Sequence, residues 1–459
     1  VMAQQYFLSH SGVSPEKIRK AAELLKQGYR RLTGFESKSS GYEWFSGNPG
    51  HEALTAYGLM QFHEMKEVMA VNGVMFERTK NWLMSRRDGR GGFLRNSRAL
   101  DSFGRAPAPT TDAYILWTLL ESGTNPAELS REIEHVKKLA LESKDSYLCA
   151  LGANILFLAK DHENAMRLAS ALAASQEKNG SVSGAVHSIT CSGGDSLALE
   201  TTSLAVIAWL RIDPKFMTRT EAAMKWIFER CRNGRFGSTQ STILALKAVN
   251  AYDRARPVVK KSGSVQLLVD GKAFGSPVAF MPESREALVL PDFSPAMTPG
   301  RHTLELVMHD GSEMPFTLEV SCHTKLPASD PECALRVETR LSASQIREGE
   351  IAELIATVRN GGAKDVSMPL AVVGIPAGFE VRADQLKELV KAGRIASWEM
   401  FRGELVLYWR SLRAGESVRI PVSLKAMIPG VYTAPASRAW LYYTEERKDW
   451  CPGVTAKIF

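Results

Sequence analysis

The chain has 459 residues, more than one ordinary hydrophobic core holds, so two or three domains are expected. Its 44% apolar and 23% charged residues fit a globular protein, and no apolar run reaches the roughly 18 residues that would suggest a membrane-spanning helix. A net charge of +7 is modest for this length, and the basic residues are dispersed, so Arg86-Arg87 and Lys260-Lys261 read as solvated loop ends rather than a nucleic-acid footprint.

The chain opens at Val1–Leu8, which reads as the interior of an amphipathic helix, and the expectation is a fragment of something longer. Up to about Asp253 the pattern is helical, with two kinds of helix in alternation. Nearly all-apolar segments are His51–Phe62, Thr111–Glu121, Ser146–Leu158, Ser196–Leu210 and Ser238–Ala251. Between them lie two-faced segments rich in Lys, Arg and Glu: Pro15–Leu32, Gly73–Ser85, Pro126–Glu142, Asn164–Gln176 and Arg219–Cys231. Helices apolar all round are buried, and two-faced ones cover them. With Val1–Leu8 counted as an inner helix, strict alternation predicts an α/α-toroid of six helical hairpins. Glycine-aromatic bends at Gly41–Phe45, Gly91-Gly92-Phe93 and Gly234–Gly237 sit on connections entering inner helices, where tight turns need positive φ.

Arg254–Lys261 is a basic, proline-containing linker, and after it the period becomes two. Ser264–Lys272 reads as a strand running into an Asp-Gly turn, and His302–Met308 and Phe316–Val320 read as further strands of a small β unit. A second linker, Pro327–Pro331, leads to strands at Leu335–Thr339, Ile351–Arg359, Leu370–Ile375, Gly403–Trp409 and Ser417–Leu424, the pattern of a β-sandwich. One helix, Ala383–Ala392, interrupts it. The expected division is 1–256, 257–328 and 329–459.

The six cysteines show no Cys-x-x-Cys spacing, which argues against a zinc ribbon or a redox motif. Cys149 reads as a buried free thiol. Cys322 and Cys333 flank the second linker, and their pairing is open on sequence. Asn179-Gly180-Ser181 is a sequon usable only on a eukaryotic secretory route. His51-Glu52 and His63-Glu64 do not complete a zinc-protease motif, because Thr55 and Glu67 stand where the second histidine is required. No nucleophile elbow, phosphate loop or dinucleotide fingerprint is present. A toroid glycosidase would need two converging carboxylates, and Glu43, Glu52, Asp101 and Asp112 are the available candidates, each also readable as a solvated cap or surface residue. Trp44, Phe45 and Tyr57 read as plugs at the barrel mouth.

Taken in order, Pro49–Tyr57, Gly91-Gly92-Phe93, Thr111–Tyr114, Leu199-Glu200-Thr201-Thr202-Ser203 and Gly237–Thr242 resemble the thioester domain of the α2-macroglobulin and complement family, with the wording around Tyr42–Phe62 most like bacterial-type members. Ser264–Glu319 is similar to the returning half of that family's CUB-like domain. Pro331–Phe459 is similar to its receptor-binding domain. The resemblance implies a protease trap that captures its target covalently, through an internal Cys–Gln thioester at the start of the first inner helix. No cysteine of this sequence stands in that motif, so the pair is expected upstream of Val1. In some family members a histidine after the Gly-Phe bend steers transfer to hydroxyls. Asp101 falls at that position here, and no histidine lies between His63 and His135, which implies amine targets.

The resemblance further implies no enzymatic turnover, no cofactor and no metal, with proteases as partners and a secreted location, extracellular or periplasmic. Lys387, Lys391 and Arg394 resemble the family's basic receptor-contact face, though a solvated helix looks the same. A complement-like surface tag and a toroid enzyme acting on carbohydrate or lipid are the alternatives.

Overall fold

The computed structural model describes residues 1–9, 13–43, 49–96, 106–232, 234–255, 261–284, 288–311, 314, 316, 318, 320 and 323–459. Its first half is helical: α1 (Met2–Ser9), α2 (Pro15–Thr33), α3 (Glu52–Met65), α4 (Gly73–Ser85), α5 (Ala108–Glu121), α6 (Ser130–Glu142), α7 (Ser146–Leu158), α8 (His162–Ala174), α9 (Gly194–Ile212), α10 (Met217–Phe228) and α11 (Thr239–Ala255). The odd-numbered helices pack on one another in sequence, α3 on α5, α5 on α7, α7 on α9 and α9 on α11, and α11 returns to α1. Each even-numbered helix packs outside its neighbours. This is the expected α/α-toroid, with six inner helices and, among the described residues, five outer ones rather than six.

The inner ring is apolar for the reason read in the sequence. Every residue from Thr110 to Leu120 of α5 is buried, as is every residue from Ser146 to Leu156 of α7. Trp117 and Trp209 are almost fully enclosed. Local chemistry sets the helix starts: Ser14, Asn72, Asp145 and Asp161 each accept a first-turn backbone N–H. Asp161 moves the start of α8 two residues ahead of the expected Asn164, and short 3-10 turns at Pro126–Leu129 and Pro214–Phe216 precede α6 and α10. Arg254 and Ala255, read as linker, complete α11 instead. The ring closes where Asn250 Nδ2 donates to Met2 O at 3.1 Å and Gln5 Nε2 donates to Glu67 Oε2 at 2.8 Å.

A three-stranded antiparallel sheet follows, with β1 (Gly263–Val269) between β2 (Lys272–Phe280) and β3 (Leu304–Asp310). The Asp270-Gly271 turn joins β1 to β2, both residues at positive φ. The expected strand at Phe316–Val320 falls partly outside the described residues.

From Leu335 onward two main sheets enclose a second core. One has the order β10-β11-β8-β15-β16 (Ser397–Phe401, Glu404–Tyr408, Pro369–Gly374, Ser437–Leu441, Asp449–Cys451). The other has the order β4-β6-β13-β9 (Leu335–Leu341, Ile351–Asn360, Ser417–Ala426, Phe379–Val381). In β6 and β13 residues alternate between buried and outward-facing, as a half-covered antiparallel sheet requires. Helix α12 (Ala383–Lys391) seats Leu386 in this core. Cys149 is a buried thiol, as expected, and Cys333 is a free thiol; Cys322 lies outside the described residues. Among the described residues no helix is long and apolar enough to cross a membrane.

Candidate functional site

The inner helices run parallel, so their N-termini share one mouth of the ring and the bends that enter them line it. These bends are built alike. After α2, α4 and α8 the chain forms a single antiparallel bridge between residues six apart, Glu36 with Tyr42, Arg87 with Phe93 and Gln176 with Val182. A side chain of the next inner helix then receives the N–H of the bend residue. Tyr42 N–H goes to Thr55 Oγ1 at 2.8 Å, Phe93 to Asp112 Oδ1 at 3.1 Å, Val182 to Thr202 Oγ1 at 3.0 Å and Phe236 to Thr242 Oγ1 at 2.9 Å. Gly92 is required in this geometry because an added Cβ would lie 2.8 Å from Asp112 Oδ2. The bend at Gln176–Val182 was not anticipated, because Val182 stands where the others carry an aromatic or basic residue.

Of the carboxylates read as solvated caps, Glu52 and Asp112 are buried anchors, and Glu43 is half-buried. Glu52 is 3% exposed; its Oε1 takes Arg86 Nε at 2.9 Å and its Oε2 takes the N–H of Asn96 at 2.9 Å. Asn96 Nδ2 also donates to Pro49 O at 2.7 Å. Arg86 and Arg87 are correspondingly clamps between hairpins, not solvated loop ends, since Arg87 Nη1 donates to Glu128 O at 2.7 Å. Burial pushes the Asp112 carboxyl up to about 6, against the Phe93 N–H that favours its charged form. Both carboxyls are thus committed to holding loops. Asp101, Trp44, Phe45 and Lys260 lie outside the described residues. Asn96, where the Asp101 segment begins, is fixed at the mouth by Glu52.

Buried among the inner helices lies a polar cluster that sequence reasoning registered only as part of a resemblance. Glu200, with no exposed surface, projects from α9, and its Oε1 accepts from Ser192 Oγ at 2.8 Å and Thr190 Oγ1 at 3.3 Å. Ser188 Oγ lies 2.7 Å from Ser192 Oγ and accepts the N–H of Ser192 at 2.9 Å. Burial pushes the Glu200 carboxyl up to about 8, more than these donors draw it down. Glu200 Oε2, the Tyr147 hydroxyl and Gln240 Oε1 are buried with no hydrogen-bond partner of normal geometry among the described residues. Gln240 Nε2 donates to the Tyr114 hydroxyl at 3.4 Å. The signal was a lone Glu in an otherwise apolar helix, preceded by the Ser188–Ser192 hydroxyl run.

At the opposite mouth charges are paired. Arg211 Nη1 and Nη2 grip Glu121 at 2.5 and 3.2 Å, Trp117 Nε1 donates to Glu121 at 2.8 Å, and Lys247 pairs with Glu64. Among the described residues no group of three or more His, Cys, Asp or Glu side chains is placed to hold a metal ion.

On the sandwich, Lys387 pairs with Asp384 at 3.6 Å, and Arg394 Nη2 donates to Arg419 O at 2.8 Å. Within the expected basic face, Arg394 is therefore used partly to hold α12 against β13. The sandwich also reaches the N-terminal mouth of the ring. A Cβ placed on Gly194 would lie 3.6 Å from Arg447 Nη2 and 3.8 Å from Thr444 Cγ2.

Comparison with known proteins agrees with this architecture. The native α2-macroglobulin of Escherichia coli, in a structure spanning domain MG7 to the C-terminus, is similar over 99% of this chain and 70% of that one, with a TM-score of 0.62 and 13% identity. Salmonella α2-macroglobulin reacted with methylamine is similar over 98% of this chain but 28% of that one, with a TM-score of 0.62 and 15% identity. The native conformation of the E. coli protein, seen by cryo-electron microscopy, is similar over 100% of this chain and 28% of that one, with a TM-score of 0.62 and 14% identity. The chain thus spans less than a third of the length of the latter two. At these identities the likeness is one of fold. The family assignment rests on the model of the A-macroglobulin TED domain, which matches residues 1–252, more than half of the chain, and the chain belongs to that family.

Proposed function

We propose that this chain is the C-terminal part of a macroglobulin-like endopeptidase inhibitor that captures proteases covalently. The observation that carries the reading is the match of residues 1–252 to the A-macroglobulin TED domain, supported by the ring of six inner and five outer helices among the described residues. In this reading 1–256 is the thioester domain, 257–328 a CUB-like segment and 329–459 a receptor-binding-type sandwich. The toroid mouth and the sandwich beside it shield a Cys–Gln thioester carried upstream of Val1 until a protease triggers exposure. A thioester survives only while water and amines are excluded. On exposure a lysine amine of the protease attacks the acyl carbon, the C–S bond breaks, an amide forms, and the cysteine sulfur leaves as a thiolate while the amine loses its proton to solvent.

Asp101 is the modulating position in this scheme. A carboxylate lacks the imidazole's capacity to take up the acyl group and pass it to a hydroxyl near neutral pH, so direct aminolysis is the expected route. The protein is single-use, acts outside the cell or in the periplasm, and meets proteases as partners, with a receptor or cell surface as a further partner through the sandwich. Full-length, protease-triggered protein should incorporate methylamine with release of one thiol. Preferential labelling by glycerol would overturn the amine assignment, and absence of any thiol release would overturn covalent capture.

A further inference from the structure

The loop that precedes α9 has two faces with different neighbours. Inward, Ser188, Thr190 and Ser192 are buried, and the last two donate to Glu200, six residues along the helix from Gly194. Outward, Gly194 lies under Thr444 and Arg447 of the sandwich. Between the faces the backbone is tightly constrained, with Cys191 at φ 53° and Gly194 at φ 54°. Gly194 takes its value without strain, but Cys191 stands in the left-handed region that non-glycine residues rarely adopt, so the loop keeps this course only where surrounding contacts hold it. The hydroxyls gripping Glu200 are among those contacts, beside the Cys191 N–H that donates to Ser188 O at 3.0 Å.

The sandwich side is equally specific. Thr444–Arg447 is a turn closed by Arg447 N–H donating to Thr444 O at 3.1 Å. Arg447 Nη2 is oriented by Glu332 at 2.8 Å, so the guanidinium arrives at Gly194 already positioned. At Gly194 a side chain would occupy the space at van der Waals distance from that guanidinium.

We propose that Glu200 is a positioning residue that, through the Ser188–Ser192 loop, shapes the seat on which the Thr444–Arg447 turn of the sandwich docks. The barrel interior thereby governs whether the C-terminal sandwich closes over the N-terminal mouth. Glu200 holds the loop through Oε1, while Oε2 is buried with no hydrogen-bond partner of normal geometry among the described residues. A neutral amide of the same shape therefore serves equally well, whereas an apolar side chain releases the two hydroxyls. This role deepens the reading of the sandwich as the closing contact of the toroid, but its readout is docking and not acyl transfer. Failure of amine incorporation would remove the shielding role and leave the docking intact.

The test is amide hydrogen exchange on the full 459-residue chain, comparing wild type with Glu200→Gln, Glu200→Leu and Arg447→Ala. Glu200→Gln should match wild type at 191–197 and 444–447. Glu200→Leu should speed exchange in both segments by about tenfold, equivalent to ~1.4 kcal/mol, with α5 and α7 still protected. Arg447→Ala should loosen 444–447 and 193–195 while the amides around Ser188 keep their protection. The inference fails if Glu200→Leu leaves both segments unchanged while folded, or if Glu200→Gln loosens them as much as leucine does. Should Glu200→Leu not fold, the double variant Thr190→Val/Ser192→Ala removes the grip and leaves the carboxyl, and the same two outcomes decide.

Discussion

The N–H of Phe93 donates to the Asp112 carboxylate at 3.1 Å, tying the bend that leaves one outer helix to the inner helix it feeds. Threonine does the same work in three other hairpins, through Thr55, Thr202 and Thr242. The toroid is thus stitched by one repeated side-chain-to-backbone bond as well as by apolar packing.

Thr202→Val keeps the shape of the side chain and strands the buried N–H of Val182. The expected loss is about 1–3 kcal/mol, seen as a lower urea midpoint with an unchanged slope. Asp112→Asn keeps an acceptor facing Phe93 and should cost less than Thr202→Val.

Stability should fall as the solution becomes alkaline. Glu200 and Asp112 keep protons in the folded chain, up to about pH 8 and about pH 6, that an unfolded chain has lost by about pH 5. A carboxyl with its native pKa raised binds the extra proton in the native state, so its contribution is complete below the unfolded pKa and is lost as pH rises through the folded value. The melting temperature should therefore decline from about pH 5 to about pH 8, and Glu200→Gln should flatten the upper part of that decline. A variant that tracks wild type throughout would assign the effect elsewhere.

At the other mouth, burial pushes the Glu121 carboxyl up, but the charge and hydrogen bonds of Arg211 outweigh it and hold it below the ordinary value. Arg211→Met leaves that carboxylate with the Trp117 indole as its remaining close donor. The expected cost is about 2–4 kcal/mol, below that of a fully enclosed pair because the Arg211 side chain is 31% exposed. Pairing it with Glu121→Gln should recover a large part, which a double-mutant cycle would read directly.

In the sandwich, Asn360 has no exposed surface, and its amide nitrogen serves Lys364 O, Leu412 O and Arg413 O at 2.9, 3.1 and 2.9 Å. Its carbonyl oxygen takes the N–H of Gly362 at 3.0 Å. Asn360→Leu leaves these groups unpaired and should destabilise the protein by about 3 kcal/mol or more, measured by chemical denaturation.

Periodicity carried the architecture. All-apolar runs such as Ser146–Leu158 admit no position but the inside of the ring, so the inner helices α3, α5, α7, α9 and α11 were legible to within four residues at each end. Ends were harder, because they depend on single caps such as Asp161 and on 3-10 turns that hydrophobic pattern does not encode. Short edge strands such as Ser397–Phe401 were missed because nothing buried marks their alternation. The site was less legible than the fold. Glu52, Asp112 and Arg86 were noticed as charged residues, but charge on a helix start reads as solvated until the partner 34 residues away is seen to cover it. Glu200 was visible only within a family phrase, since its role depends on hydroxyls brought to it by a loop.

Because the inner helices all point the same way, their peptide dipoles add rather than cancel, and the ring is polarised along its axis. Asp145 and Asp195 at the starts of α7 and α9 and Arg211 at the far end of α9 follow that polarity, whereas Glu64 and Glu121 at the far ends of α3 and α5 run against it and are held by Lys247 and Arg211. At the mouth against which the sandwich rests, the partial positive charge of the helix starts therefore offsets part of the burial and like-charge cost of gathering Glu52, Asp112 and Asp195 there.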